Sequence, residues 1–235
     1  MPTEFEVRRA TVDDVGDIAG VFLSAREEAY PAMPRPIHSA ESVHAYLARA
    51  VTGGREVWVA EAGGSVVGYL LLDPAWLDSV YVRPEHQGRG VGSALLDLAK
   101  SLRPEGFGLW VFEANEPARG FYVRRGLVEV RRTDGSGNEE REPDVEMAWL
   151  GDDPVRALRR RIDRLDDELA EQLDVRTVLA GLIQRFKAVP GHAGRDAARE
   201  GEIVARMAER APHLTPAAIA AIMREVIAAG LDAAD

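Results

Sequence analysis

Between Phe5 and Leu150 the chain alternates short apolar runs of strand character with stretches whose apolar residues recur every three or four positions. The runs FEVRR, VWVAEA, SVVGYLLL, WLDSVYV, FGLWVFE, LVEVRR and DVEMAWL are rich in branched and aromatic residues and predict seven strands. Two helices are predicted among them. TVDDVGDIAGVFLSAREEAY opens with Thr11 as N-cap and Asp14 at the third helical position, a capping-box arrangement. GVGSALLDLAKSL carries Val91, Leu95, Leu96 and Leu102 on one stripe.

After GDDP the strand signal stops, which puts a boundary at about residue 151: a mixed α/β domain over 1–150 and an all-α domain over 151–235. Leu158, Ile162, Leu165, Leu169, Gln172, Arg176, Leu179, Ile183 and Phe186 follow a 4-3 spacing along one seam. Such a helix is about 45–50 Å long at 1.5 Å per residue. Its stripe needs a partner, and a second copy of the chain supplies one, predicting a homodimer. GRDAAREGEIV starts another helix at Asp196, and TPAAIAAIMREVIAAGL, capped by Thr215 with Pro216 at its first position, makes a third.

Composition narrows the chemistry. At 235 residues, 46% hydrophobic, the chain is long enough for one large domain or two modest ones, each with a core. The absence of cysteine excludes disulfide scaffolds, thiolate metal sites and cysteine nucleophiles. None of the five histidines stands at zinc-ligand spacing, so no metal is expected. A net charge of −10, concentrated in residues 1–150, argues against nucleic acid or an anionic membrane as partner. MPTEFEVRRATVDD lacks the layout of a signal peptide and no apolar window approaches a bilayer's thickness, so a cytoplasmic protein is expected.

In VRPEHQGRGVGSALLDLA, Gly88, Gly90 and Gly92 fall at alternate positions between a strand and a helix. There they permit a tight turn and close approach to main-chain amides, where the helix dipole favours an anion such as phosphate. The spacing is neither the dinucleotide G-x-G-x-x-G nor a Walker loop. A flexible surface turn is the plain alternative. Gln87-Gly88-Arg89-Gly90-Val91-Gly92 resembles the pyrophosphate loop of the GNAT superfamily of acyl-CoA N-acyltransferases, and ANEPARGFYVRRGLVEV resembles that superfamily's second signature. The resemblance covers roughly residues 4–150.

That resemblance implies acetyl-CoA as cosubstrate. It implies a fourth and fifth strand that splay, with pantetheine pairing near Val80, Tyr81 and Val82, and a pyrophosphate held by Gln87, Gly88, Arg89, Gly90, Val91, Gly92 and Ser93. Asn115 follows the fifth strand, and Ala118 and Tyr122 share one face of a short helix against the cofactor. The amine attacks the thioester directly, so the reaction needs a neutral amine, a polarised carbonyl and a proton for the thiolate. By its match the amide of Val82 polarises the carbonyl and Tyr122 is the acid; the alternative for Tyr122 is a core aromatic. Asp78 and Glu113 are candidate bases by position, and each reads equally as a strand-end carboxylate, the plainer reading being favoured for Glu113. YPAMPRPIHSAES and the segment Thr133 to Asp144, both polar and irregular, are expected to form the acceptor site.

In the second half Arg176 interrupts an apolar seam, which is costly unless it meets an anion. Lys187, eleven residues on, points the same way, whereas Arg159 is rotated roughly 100° off that face and would act on another chain. Arg159, Arg176, Lys187, Asp196, Arg199 and Glu200 stand at the spacings of the all-helical chorismate mutases, and ALRRRIDRLDDELAEQL is very similar to that family's opening. The resemblance spans about 154–232. It implies an intertwined dimer that clamps chorismate between arginines of both chains, without a cofactor. Lys187 lies beside the breaking ether bond and Glu200 on the ring hydroxyl.

The match departs from that family at two positions, where Gly230 and Ala234 replace a small hydroxyl residue and a second donor to the ether oxygen. Two readings stand. One is a bifunctional N-acetyltransferase and chorismate mutase, the mutase acting on chorismate or an amino analogue, with the fusion suggesting coupled supply of a cyclohexadienyl or aromatic amine. The other is a single-activity N-acetyltransferase whose helical tail dimerises or senses a ligand.

Overall fold

The computed structural model describes residues 5–187 and 195–232, and they divide into two compact units, Met1–Leu158 and Arg159–Asp235. In the first unit all seven predicted strands are present: β1 Glu6–Arg9, β2 Glu56–Ala62, β3 Ser65–Leu72, β4 Leu77–Val82, β5 Phe107–Phe112, β6 Val128–Thr133 and β7 Asp144–Trp149. They form two ladders. One has the order β1-β2-β3-β4 and the other β5-β7-β6, every pairing within them antiparallel. Trp76 and Gly108 make a parallel bridge between the ladders, with the Gly108 N–H donating to Ala75 O at 2.9 Å.

Four helices flank these ladders: α1 Val15–Glu28, α2 Ala40–Thr52, α3 Val91–Leu102 and α4 Glu116–Arg124. Before α1, a 3-10 turn over Val12–Asp14 carries the capping box, with Asp14 Oδ2 accepting from the Thr11 N–H at 2.7 Å. Arg8 grips the same carboxylate at 2.7 and 2.8 Å and ties it to β1. α2 is not among the predicted helices; its first residues, 40–42, end the stretch read as irregular, and residues 43–52 fall in no predicted element. Ser39 caps it by accepting from the Ser42 N–H at 3.3 Å, and Val43, Leu47 and Ala50 line its buried face.

The apolar run of β3 is buried on both faces. Leu70 and Leu72 join Val91, Leu95, Leu96 and Ala99 of α3 in one core layer, and Tyr69 and Leu71 join Ile18 and Val21 of α1 and Leu47 of α2 in the other. Gly68 lets α3 lie directly on the strand. A Cβ there would stand 2.9 Å from Val91 Cγ1 and 3.1 Å from Tyr81 O.

Every described secondary-structure element of the second unit is a helix. α5, Pro154–Phe186, begins in the first unit and is about 50 Å long at 1.5 Å per residue. α6 Ala197–Arg210 and α7 Pro216–Asp232 follow. Asp196 caps α6 through the Arg199 N–H at 3.0 Å, and Thr215 caps α7 through the Ala218 N–H at 3.2 Å. Ile162, Leu165, Leu169, Leu179 and Ile183 of the predicted seam are exposed. No described helix is long and apolar enough to cross a membrane.

Candidate active site

The split between the ladders shapes the main site. Positions bonded to the partner strand alternate along an antiparallel pair. Arg83 N–H donates to Val67 O at 2.8 Å, and the register continues through Tyr81 with Tyr69. The main-chain groups of Val80 and Val82 therefore point away from β3, toward β5. Consistent with this, Val82 O accepts from the Gln87 side chain at 3.3 Å. From the Trp76–Gly108 bridge the two edges part, and a cavity of about 720 Å³ opens between them.

Leu77 to Tyr81 line one wall of that cavity, Leu109 to Phe112 another, and Asn115, Ala118 and Tyr122 close one side. Asn115, 9% exposed, fixes the start of α4 by accepting from the Ala118 N–H at 3.2 Å. This cap and the helical spacing bring Ala118 and Tyr122 to the cavity together. The Tyr122 hydroxyl makes no hydrogen bond among the described residues, and burial pushes its pKa well above that of an ordinary phenol.

Past β4 the chain turns through Gly88 and Gly90, at φ of 72° and 91°, into α3. Glycine alone adopts that region without strain. Gly90 is the N-cap, and Val91, Gly92 and Ser93 form the first turn, whose amides have no carbonyl behind them in the helix. Val91 itself is buried as an anchor and Arg89 is exposed. Arg125, at the end of α4, donates from Nη2 to Ser93 Oγ and stacks on Phe121 at 5.0 Å, while its buried Nε has no partner. A second cation thus stands beside the helix tip. Sequence reasoning missed it, because the Ser93 contact joins residues 32 apart.

Asp78 lines the cavity from β4. Arg55 pairs with it at 3.3 Å, and Tyr46 OH, which receives Arg55 Nη1 at 2.6 Å, lies 3.3 Å from both its oxygens. Glu113 is held by Arg132 at 2.6 Å and does not line the cavity.

The opposite side is built from Arg26, Met33, Trp110, Arg131, Thr133, Asn138, Glu140 and Asp144, so both expected acceptor segments reach it. Arg26, 5% exposed, pairs with Glu140 at 3.0 Å. Burial raises the pKa of Tyr81 beside it, and the Arg26 charge works against that rise. Trp110 stacks on Trp76 with centroids 6.1 Å apart, and Arg131 lies over its ring.

In the second unit Arg176 Nη1 donates to Val226 O of α7 at 3.3 Å. A Cβ at Gly230 would lie 3.8 Å from that nitrogen, and Ala234 is outside the described residues. Lys187 follows directly on α5, and exposed Arg159 has no partner among the described residues. Asp196 and Arg199 meet only through the cap, the Arg199 side chain turning to Glu202 at 3.0 Å. Glu200 is gripped on both oxygens by Arg195, at 2.8 and 2.6 Å, which holds its carboxyl below the usual range. Arg195 is a further residue the sequence reading passed over.

The family described as acetyltransferase (GNAT) matches residues 22–127, and that described as chorismate mutase type II matches residues 158–233. A probable N-acetyltransferase of Mycobacterium tuberculosis is 35% identical over 81 residues, 31% of this chain; the match spans 47% of that protein, about half its length. The peptidyl-lysine N-acetyltransferase YjaB of Escherichia coli is 31% identical over 106 residues, 45% of this chain and 71% of YjaB. Among solved structures, the putative acetyltransferase YncA of Salmonella typhimurium, with its cofactor acetyl-CoA, shares the fold at a TM-score of 0.52 and 20% identity. That likeness covers 63% of this chain and 95% of YncA.

Proposed function

The chain belongs to the GNAT acetyltransferase family and carries a chorismate mutase type II domain at its C-terminal end, and from that premise we propose that its first unit acetylates an amine using acetyl-CoA. The observation that carries this reading is the open edge of β4, facing a cavity that Tyr122 also lines. An extended arm pairs with such an edge as an added strand, through Val80 and Val82. The glycine turn and the free amides of Gly90 to Ser93, with Arg89 and Arg125 beside them, suit a pyrophosphate.

Bound there, acetyl-CoA supplies an activated acyl group. Val80 lines the cavity and Val82 does not, so the carbonyl-polarising amide in this reading is that of Val80, one strand repeat deeper than the sequence expectation of Val82. Tyr122, its pKa raised by burial, keeps its proton at neutral pH and donates it to the leaving sulfur. Asp78, oriented by Arg55 and Tyr46, takes the proton the amine sheds. The likeness to a peptidyl-lysine N-acetyltransferase makes lysine side chains the first acceptors to try. Calorimetry with acetyl-CoA and release of CoA in the presence of a lysine peptide test the reading. It predicts saturable binding and turnover, and the absence of acetyl-CoA binding refutes it.

For the second unit we propose a homodimer with mutase chemistry on chorismate or an amino analogue. The exposed apolar seam of α5 supports the dimer, and Arg159 of the partner subunit would complete the cation set of Arg176 and Lys187. Asp196, Arg199 and Glu200 supply the remaining contacts to the substrate. Chorismate absorbance should decay with the wild type and persist with Lys187→Ala. Persistence with the wild type favours a dimerising or sensing tail, a reading that Gly230 in place of a hydroxyl residue supports.

A further inference from the structure

Three carboxylates line the cavity of the first unit: Asp78, Glu140 and Asp144. Arg55, gripped by Asp73 at 2.9 and 2.5 Å, also reaches the first at 3.3 Å, and Arg26 pairs with the second at 3.0 Å. Asp144, 8% exposed at the start of β7, has no cation partner among the described residues.

Its hydrogen bonds are neutral, and their directions are fixed by the surrounding loop. Thr133 Oγ1 accepts from the Gly135 N–H at 3.1 Å, which leaves its own proton for Asp144 Oδ1. Asn138 Oδ1 accepts from the Glu142 N–H at 3.3 Å, which turns its Nδ2 to donate to Asp144 Oδ2 at 2.9 Å. A buried carboxylate answered only by neutral donors is costly, and the common remedy is a cation. The other cations lining the cavity are committed elsewhere: Arg26 to Glu140 and Pro34 O, and Arg131 to Glu146 at 2.7 Å.

On the same face of the three-stranded ladder, two residues before the strand partner of Asp144, Trp110 is 41% exposed. Its ring is backed by Trp76. A carboxylate without a counter-charge beside an apolar wall fits a ligand that brings both a positive charge and a hydrocarbon arm.

We propose that Asp144 binds the acetyl acceptor as an alkylammonium ion, selecting amines that are protonated at neutral pH over arylamines, which are not; the bound ammonium gives one proton to solvent before its nitrogen attacks, and Asp78 takes the second. The inference rests on the acetyltransferase reading and names its substrate class; it favours alkyl over aromatic amines as the acceptor.

Benzylamine and 4-methylaniline test it. They are isomers, the first a cation at pH 7 and the second neutral. Binding of each to the CoA-loaded protein is measured by calorimetry, because binding is independent of their different nucleophilicity, alongside acetyl-CoA affinity. Benzylamine should bind the wild type at least tenfold more tightly than its isomer. Asp144→Asn should erase that preference while leaving acetyl-CoA affinity unchanged. Equal binding of the isomers by the wild type, or a preference that survives Asp144→Asn, overturns the inference. Where the variant fails to fold, equal binding of the two isomers by the wild type still overturns the inference. A wild type that binds acetyl-CoA but neither amine also overturns it and leaves the acetyltransferase reading standing. A wild type that binds no acetyl-CoA removes both.

Discussion

Replacing Gly68 by alanine tests what sets α3, and with it the glycine turn, against the sheet. The added methyl would stand 2.9 Å from Val91 Cγ1, 3.1 Å from Tyr81 O and 3.3 Å from Leu95 Cδ1. One of these neighbours is backbone and the other two belong to the buried face of α3, so something in the packed layer must move. Two effects oppose each other. Alanine in place of a strand glycine restricts the unfolded chain and gains about 0.4–1 kcal/mol. Overpacking a filled core costs about 1–3 kcal/mol. At these distances the cost wins, leaving a net loss of about 1–2 kcal/mol. For a protein of this size that lowers the melting temperature by about 2–8 °C, read by differential scanning calorimetry. The strain is relieved by lifting the N-terminal half of α3, so acetyl-CoA affinity should fall several-fold in the same variant. A variant as stable as the wild type and binding acetyl-CoA equally well would refute the reasoning.

Tyr122→Phe should lower kcat about a hundredfold or more and leave acetyl-CoA affinity unchanged, since general-acid catalysis contributes 10²–10⁴-fold; equal kcat values would exclude the acid role. Because burial raises its pKa, Tyr122 stays protonated through pH 10, so no alkaline fall in rate below that pH should vanish with the phenylalanine variant. Asp14, its pKa depressed chiefly by Arg8, stabilises the fold fully above the ordinary aspartate value of about 3.9, and that contribution declines as pH falls below it. Asp14→Asn should therefore cost about 1–3 kcal/mol at pH 7, toward the low end because Arg8 is partly exposed, and flatten the acid limb of a urea stability profile. Arg195→Ala should let the pKa of Glu200 rise toward about 4.3, moving any acid limb of chorismate turnover to higher pH.

The elements whose signal is local were legible in the sequence. Each strand carries its own branched and aromatic residues, and the turn through Gly88 and Gly90 announces itself because only glycine suits those φ values. Asn115, Ala118 and Tyr122 were legible as a set only through the resemblance of ANEPARGFYVRRGLVEV to a family signature, and one short helix carries them. α2 was hidden by the proline-rich stretch before it, although Ser39 with Val43, Leu47 and Ala50 carries a cap and a stripe. Asp144, Trp110 and Arg131 could not be assembled from sequence. They meet through the pairing of β5 and β6 with β7, and a register set by core packing on the far face decides which side chains share the cavity. The pairing of Arg195 with Glu200 joins a residue just before α6 to one on its first turn, a side-chain choice that sequence spacing leaves open.

The bridge at Trp76 and Gly108 leaves the two ladders of the first unit as a seam stitched at one end. In the proposed reading an extended arm fills the gap as an eighth strand, and its binding is then linked to folding. At a hundred times its dissociation constant such a ligand adds about 2.7 kcal/mol to stability. The heat tolerance of this unit should then rise and fall with the supply of its cosubstrate, making the protein's lifetime a gauge of acyl-donor availability.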